Sequence, residues 1–297
     1  MTFLMQPQGQ GDELLFHYTT AAGLAGILDS GELRLSTLER MNDPRESGKY
    51  SFGFNSWSSG SFGDDRRAGI ESDINDALRG TTHLASFTRE GLEESPDGYF
   101  GRGFARARNW DQYGEKHRGA VLGLNRDRTL AAFDELCSGD FASGPVRYEN
   151  GSLQSLPDGG WLIFDESEYN EVGAHGVANR WRVDYQNQLF FTKNRDWESE
   201  DEFRIVVWQA QHANMPIAGL IEGVILGEHH PIPEKKVLGT RLARLGVDRL
   251  IIGIMDWRHG TPGCLSSILT DRPGIFGFEV VDDGIDRDFP LAHPVLS

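Results

Sequence analysis

The stretch Glu13-Leu-Leu-Phe-His-Tyr-Thr-Thr-Ala-Ala-Gly-Leu-Ala-Gly-Ile-Leu-Asp-Ser-Gly-Glu-Leu-Arg-Leu-Ser36 carries the first fold signal. Its apolar, aromatic start predicts a strand over 13–18. Thr19 and Thr20 offer N-caps for a helix over 21–28, where Leu24, Ile27 and Leu28 share one face. Gly31 suits the helix C-terminus. Residues 32–36 then return as a strand, so the chain opens strand–helix–strand.

Working outward, the pattern predicts helices over 64–78, 106–117, 126–136 and 233–245. It predicts strands over 83–88, 119–124, 145–149, 202–208, 220–226, 249–255 and 276–281. Residues 150–180 carry few periodic signals and read as mixed. Residues 51–69 are rich in Gly and Ser, with Phe52, Phe54, Trp57 and Phe62 interleaved, which reads as a surface loop or flap. Repeats and inter-domain linkers are not evident. The economical reading is a polar tail at 1–12, then one α+β domain over 13–297. Its core is a split, mostly antiparallel β-sheet with flanking helices.

Composition bounds the function. The chain has 297 residues, with 45 acidic against 29 basic side chains and a formal charge of −16. Such a charge argues against nonspecific coating of nucleic acid or anionic membrane, but leaves room for a local basic groove. Cys137 and Cys264 are the two cysteines, too few for a disulfide framework or a C-x-x-C zinc site. Neither a signal-peptide core near the start nor an apolar run of ~20 residues is present. A cytoplasmic protein with no membrane association is expected.

Familiar motifs are missing. The sequence has no G-x-x-x-x-G-K-[ST], no G-x-S-x-G and no H-E-x-x-H. Gly101-Arg-Gly103 lacks the third glycine of a dinucleotide fingerprint. His229 and His230, adjacent on an extended segment, point apart, so a surface loop is expected there and no metal.

Three polar features sit where an apolar sheet does not need them. These are His17 in Phe16-His-Tyr-Thr19, Tyr113 in Asn109-Trp-Asp-Gln-Tyr113, and the pair Glu200 and Glu202 in Trp197-Glu-Ser-Glu-Asp-Glu-Phe-Arg204. Glu-x-Glu at a strand mouth puts both carboxylates on one face. Their repulsion tends to raise at least one pKa if they are partly buried. Spacing alone reads Glu200, Glu202 and Arg204 as a surface ion-pair ladder. It likewise reads His17 as a hydrogen-bonded strand residue, Tyr113 as a core aromatic and Ser86 as a satisfied strand serine. Met41-Asn-Asp-Pro-Arg-Glu46 reads as a turn.

The order of these elements is more informative than any one of them. Phe-His-Tyr-Thr, a helix with Ile-Leu, Leu-Ser, and Asn-Asp-Pro-x-Glu come first. Ser-Phe-Thr at 86–88, Trp-x-x-Tyr at 110–113 with Gly119, Trp-x-x-Glu-x-Glu-Phe-Arg at 197–204 and Val224-Ile-Leu-Gly227 follow. Spread over roughly 13–255, this pattern resembles a bacterial family of unknown function that looks like a branch of the ADP-ribosyltransferase fold, of the His–Tyr–Glu type.

The resemblance implies a split-sheet clamp that binds NAD as co-substrate, with no metal. It implies that His17 bonds the adenosine ribose and that Tyr113 stacks on nicotinamide. Tyr18, Thr19 and Ser86 would line the NAD pocket. Glu202 would hold the 2′-hydroxyl of the nicotinamide ribose, with Glu200 competing for that role and Glu202 preferred because it opens the strand. Arg102, Arg106, Arg108 and Arg118 are candidates for the pyrophosphate, or else a solvated helix face. The implied activity is ADP-ribosyl transfer to a nucleic acid or protein acceptor. A role as a toxin or phage-defence effector, restrained by an antitoxin or regulatory protein, fits by analogy. The alternatives are a catalytically silent NAD- or nucleotide-binding sensor or immunity module, an NAD glycohydrolase, and a metal-independent nucleotide or sugar-phosphate hydrolase using Glu200 or His117.

Overall fold

A computed structural model describes residues 14–55, 64–91, 99–151, 162–208, 213–231, 249–270 and 279–280, with 238, 239, 241, 242, 244 and 245 between them. The fold is α+β. One large sheet runs, edge to edge, through the strands Glu279–Val280, Thr261–Thr270, Arg249–Arg258, Ile221–Leu226, Ala120–Asn125, Leu14–Thr19, His83–Arg89, Glu202–Val207 and Phe141–Pro145. The short strand Ser36–Thr37 pairs with His83–Arg89 off this path. Ile221–Leu226 and Arg249–Arg258 run parallel, and the other pairings in this sheet are antiparallel.

The sheet is weakly joined at its middle. Leu14–Thr19 pairs with Ala120–Asn125 along all six of its residues. With its other neighbour it pairs only at Leu15↔Arg89 and Phe16↔Thr88. From His17 onward the two central strands part. His83–Arg89 keeps its register with Glu202–Val207, from Thr88↔Glu202 to His83↔Val207.

Strand alternation sends successive side chains to opposite faces, and separate apolar clusters take them up. Leu15, Leu122, Phe203 and Ile205 pack under the helices Ala21–Ser30 and Arg126–Cys137, through Leu24, Leu28 and Phe133. Leu84 and Val206 pack against the helices Asp64–Arg79, Glu166–Asp184 and Gln186–Phe190, through Ile74, Leu78, Trp181 and Phe190. Phe16, Tyr18, Val121 and Ile225 pack with Phe104 and Trp110. Thr20 caps the first helix, accepting a bond from the Gly23 N–H at 2.9 Å, and Gly31 ends it with φ 71°.

Several elements differ from expectation. The helix expected over 106–117 stops at Gln112. Glu115, Lys116 and His117 follow with φ of 52°, 52° and 65°, three successive left-handed residues at roughly 1–2 kcal/mol each. Tertiary bonds hold this turn. The Ala21 N–H donates to Glu115 Oε2 at 3.0 Å, and the His229 N–H donates to the His117 carbonyl at 2.9 Å. The segment read as mixed contains the helix Glu166–Asp184, whose periodicity is broken at Gly173 with φ 68°. Within 51–69, Gly53–Asn55 is a strand parallel to Ile163–Asp165 and a helix starts at Asp64. The strand expected at 145–149 is two pieces, Phe141–Pro145 and Arg147–Tyr148. His230 is not on a surface loop; it is 3% exposed, with Nδ1 3.1 Å from the Gly119 carbonyl. The tail expected at 1–12, residues 56–63 of the expected loop and much of the helix expected over 233–245 lie outside the described residues.

Gly119 closes the turn where no side chain fits. A Cβ there would lie 2.1 Å from the Thr19 carbonyl oxygen and 2.9 Å from that of Gly114. Gly119→Ala must displace backbone and should cost about 1–3 kcal/mol. The measurement is the denaturation midpoint, and an unchanged midpoint would show that the approach of the turn to the central strand is looser than described.

Candidate functional site

A cleft of about 320 Å³ opens where the two central strands part. This lies at the small end of the range for ligand sites. His17 and Ser86 lie on the two separating strands. Asn109 and Tyr113 come from the short helix and its C-cap, and Lys193, Glu200 and Glu202 from the segment leading into Glu202–Val207. Among the described residues the cleft thus gathers His17, Tyr18, Ser86, Tyr113, Glu200 and Glu202.

The charged floor is buried, so the surface ion-pair ladder expected from spacing is not what forms. Arg204 is fully buried, and Glu46, Glu200, Glu202 and Lys193 are each exposed by 4% or less. Burying a charge is costly unless it is paired, and each of these is paired. Arg204 donates through Nε to Glu202 Oε1 at 2.8 Å and through its second terminal nitrogen to Glu202 Oε2 at 3.0 Å. Its remaining nitrogen bonds Glu46 and the Phe190 carbonyl. Lys193 Nζ lies 2.7 Å from Glu202 Oε2 and 2.8 Å from Glu200 Oε2. The Tyr113 hydroxyl donates to Glu200 Oε1 at 2.5 Å. With every member ionised, three carboxylates face two cations and leave one negative charge in excess.

Environment pushes these groups apart. Burial alone would raise Glu202, but Arg204 and Lys193 override it and hold the carboxyl well below the usual carboxylate range. Burial raises Glu46, which Arg204 and Lys193 only partly offset. Burial and the Glu200 charge raise Tyr113, keeping its phenol protonated as a donor. The rise expected within the Glu-x-Glu pair is not found at Glu202, which is lowered; the carboxyl that rises is Glu46, outside the pair, and burial more than crowding raises it.

The Asn-Asp-Pro-x-Glu stretch is more than a turn, because its polar side chains reach into the site and its supports. Asn42 Nδ2 donates to the Tyr113 hydroxyl at 3.4 Å. Asp43 caps the helix Pro44–Ser47 through the Arg45 N–H at 2.9 Å, and accepts the Asn194 N–H at 3.1 Å. Glu46 sits on Arg204. Trp197 lies over the Lys193 ammonium, 5.7 Å from ring centre to Nζ. Glu202 opens its strand, and its N–H donates to the Tyr148 hydroxyl at 2.8 Å.

On the opposite wall, His17 Nδ1 lies 3.1 Å from the Ser86 carbonyl. A carbonyl only accepts, so Nδ1 carries the proton. Burial lowers the imidazole despite that bond. A neutral ring then keeps its Nε2 lone pair as an acceptor. Ser86 is not a satisfied strand serine, since its buried Oγ has no partner.

Other expected contacts fall elsewhere. Tyr18 borders the cleft, but its hydroxyl donates to the Gly103 carbonyl at 2.8 Å and accepts the Arg106 N–H at 3.1 Å. Its ring packs edge-on against Trp110. Thr19 is not among the lining residues, and its hydroxyl lies beside Gly23 in the first helix. Arg102, Arg106, Arg108 and Arg118 do not line the cleft. Arg102 grips buried Glu90, Arg106 meets Asp201 at 3.3 Å, and Arg108 stacks on Trp197. Arg34 and Arg40 line it instead, both exposed. His117 also lies away from it, stacked on Trp110.

Sequence reasoning missed Lys193, Glu46, Asn42, Asn109, Arg34 and Arg40. The signal for Lys193 was a single cation closing the apolar run Leu189-Phe-Phe-Thr-Lys193. Among the described residues, no group of three or more His, Cys, Asp or Glu could hold a metal ion, and no helix is long and apolar enough to cross a membrane.

A pH prediction follows from Glu202. Its folded pKa is depressed below the ordinary 4.5, so its contribution to stability is present above that value and lost as pH falls toward about 2. Glu46 has the opposite sign, because its raised pKa penalises the folded state most at neutral pH. Glu202→Gln should lower stability overall and flatten its decline between pH 4.5 and 2, followed by denaturant titration at a series of pH values. A decline as steep as in the wild type would remove Glu202 as its source.

Comparison with known proteins adds a match over part of the chain. No curated protein and no solved structure matches the chain. Residues 109–205 match the family described as protein of unknown function (DUF2971), a span that starts at Asn109, includes Tyr113, Lys193, Glu200 and Glu202, and ends just after Arg204.

Proposed function

We propose that this protein cleaves NAD and transfers ADP-ribose to a macromolecular acceptor, a nucleic acid or a protein. One observation supports the reading above the rest. His17 on one of the parted strands, Tyr113, Glu200 and Glu202 share a single cleft. The charge pattern agrees. With all three carboxylates ionised the buried floor carries one excess negative charge, which suits a cationic nicotinamide and an oxocarbenium-like sugar. Arg34 and Arg40 at the rim suit the pyrophosphate.

In this reading the bond between the nicotinamide ring nitrogen and ribose C1′ breaks. Its electron pair goes to nicotinamide, which leaves neutral. Positive charge builds at C1′ beside the carboxylates until the acceptor nucleophile attacks and gives up its proton. Glu200 is the better candidate to hold the 2′-hydroxyl. It accepts two bonds, from Tyr113 and Lys193, whereas Glu202 accepts three, from Arg204 and Lys193. Glu202 then serves to hold Lys193 and Arg204 in place. His17 Nε2 takes a ribose hydroxyl and the Tyr113 ring packs on nicotinamide.

The close hold on Glu202 also favours a second reading, a nucleotide-binding module without turnover. One experiment separates them. Purified protein is incubated with labelled NAD and a cell lysate, and nicotinamide release and label transfer are followed. Wild type should do both, and release without transfer would indicate a glycohydrolase. Glu200→Gln should abolish turnover while the protein stays folded. NAD binding without release would favour the silent module, and equal turnover in Glu200→Gln would remove that residue from the chemistry.

Binding has its own test. His17→Ala should weaken NAD by about 1–3 kcal/mol through lost ribose bonds. Arg34→Gln with Arg40→Gln should weaken it further and reduce its salt dependence. Unchanged affinity in these variants would take the wall and the rim out of the site.

A further inference from the structure

The wall of the cleft holds two polar atoms that the fold leaves unused. Asn109 is 1% exposed, and its Nδ2 donates to the Thr88 hydroxyl at 2.8 Å. Its Oδ1 is buried with no partner, and so is Ser86 Oγ. Both residues line the cleft. A buried polar atom without a hydrogen-bond partner is a standing cost to the folded protein, and native structures keep few of them. Two in one wall of one cleft mark a place where a ligand supplies the missing bonds. Because the Asn109 Nδ2 is committed to Thr88, the free end of its amide is an acceptor, and it calls for a donor.

Position narrows which donor. Asn109 lies four residues before Tyr113, and the Tyr113 N–H donates to the Asn109 carbonyl at 2.8 Å. Residues at that spacing lie on one face of a helical turn. A group packed on the Tyr113 ring would therefore have Asn109 one helical turn away, on the wall of the same cleft. We propose that Asn109, with Ser86, reads the carboxamide of the nicotinamide ring, Asn109 Oδ1 accepting its N–H. This rests on the NAD reading and adds a specificity residue to it. A ligand with a carboxylate in place of the carboxamide offers acceptors only. It would leave Asn109 Oδ1 unpaired and facing negative charge.

The test is a calorimetric comparison of three probes, NAD, nicotinic acid adenine dinucleotide and ADP-ribose, on wild type, Asn109→Leu and Ser86→Ala. Wild type should prefer NAD over the carboxylate analogue by about ten-fold or more. Each variant should lose most of that preference by weakening NAD alone, with ADP-ribose binding unchanged. Ser86→Ala removes an atom with no partner, so it should fold as well as wild type, and it decides the matter if Asn109→Leu does not fold. Wild-type binding without preference, or a preference kept in both variants, overturns the inference and leaves the NAD reading standing. Absence of binding to NAD by wild type overturns both.

Discussion

A guanidinium with no access to water must be neutralised where it lies, and Arg204 is such a group. It has five N–H donors, and the chain brings Glu202, Glu46 and the Phe190 carbonyl to them. Those partners come from a strand, from a four-residue helix more than 150 positions upstream, and from the end of another helix. Glu202 carries the compensation onward to Lys193, and Lys193 to Glu200 and the Tyr113 phenol. The arrangement of the cleft floor is thus fixed by the requirement that one buried cation be satisfied. Removing a partner from such a cluster exposes the others to uncompensated burial.

The same accounting explains why the Asn-Asp-Pro-x-Glu stretch and the Trp-x-x-Glu-x-Glu-Phe-Arg stretch occur in one chain. They are two halves of one structure. Asp43 holds the backbone at Asn194, beside Lys193, while Glu46 meets Arg204 and Asn42 reaches the phenol. The two stretches meet directly where Arg204 donates to Glu46.

Much of the scaffold was legible in the sequence. The strand–helix–strand start, the alternation in Glu202–Val207 and the helix over 126–137 rest on local periodicity, and periodicity is a property of neighbouring residues. The helix Glu166–Asp184 was not legible because Gly173 interrupts its pattern. The turn after Gln112 was not legible because its left-handed residues are held by bonds from Ala21 and His229. At the site, His17, Tyr113, Glu200 and Glu202 stood out as polar groups in apolar surroundings. The burial of the carboxylates did not. Charge spacing reads the same for an exposed ladder and for an internal network, and only the partner residues distinguish them. Lys193, Glu46 and Asn109 take their meaning from residues distant in the chain.

The central strands share only two residue pairs before they separate. A sheet of this width resists bending wherever its backbone ladder is continuous, and between these two strands that ladder is short. Widening the cleft along this line breaks few backbone bonds, but Leu15 and Leu122 on one side and Phe87 and Ile205 on the other belong to one apolar cluster, which ties the two halves together. The short ladder and the receptive hollow occupy the same place.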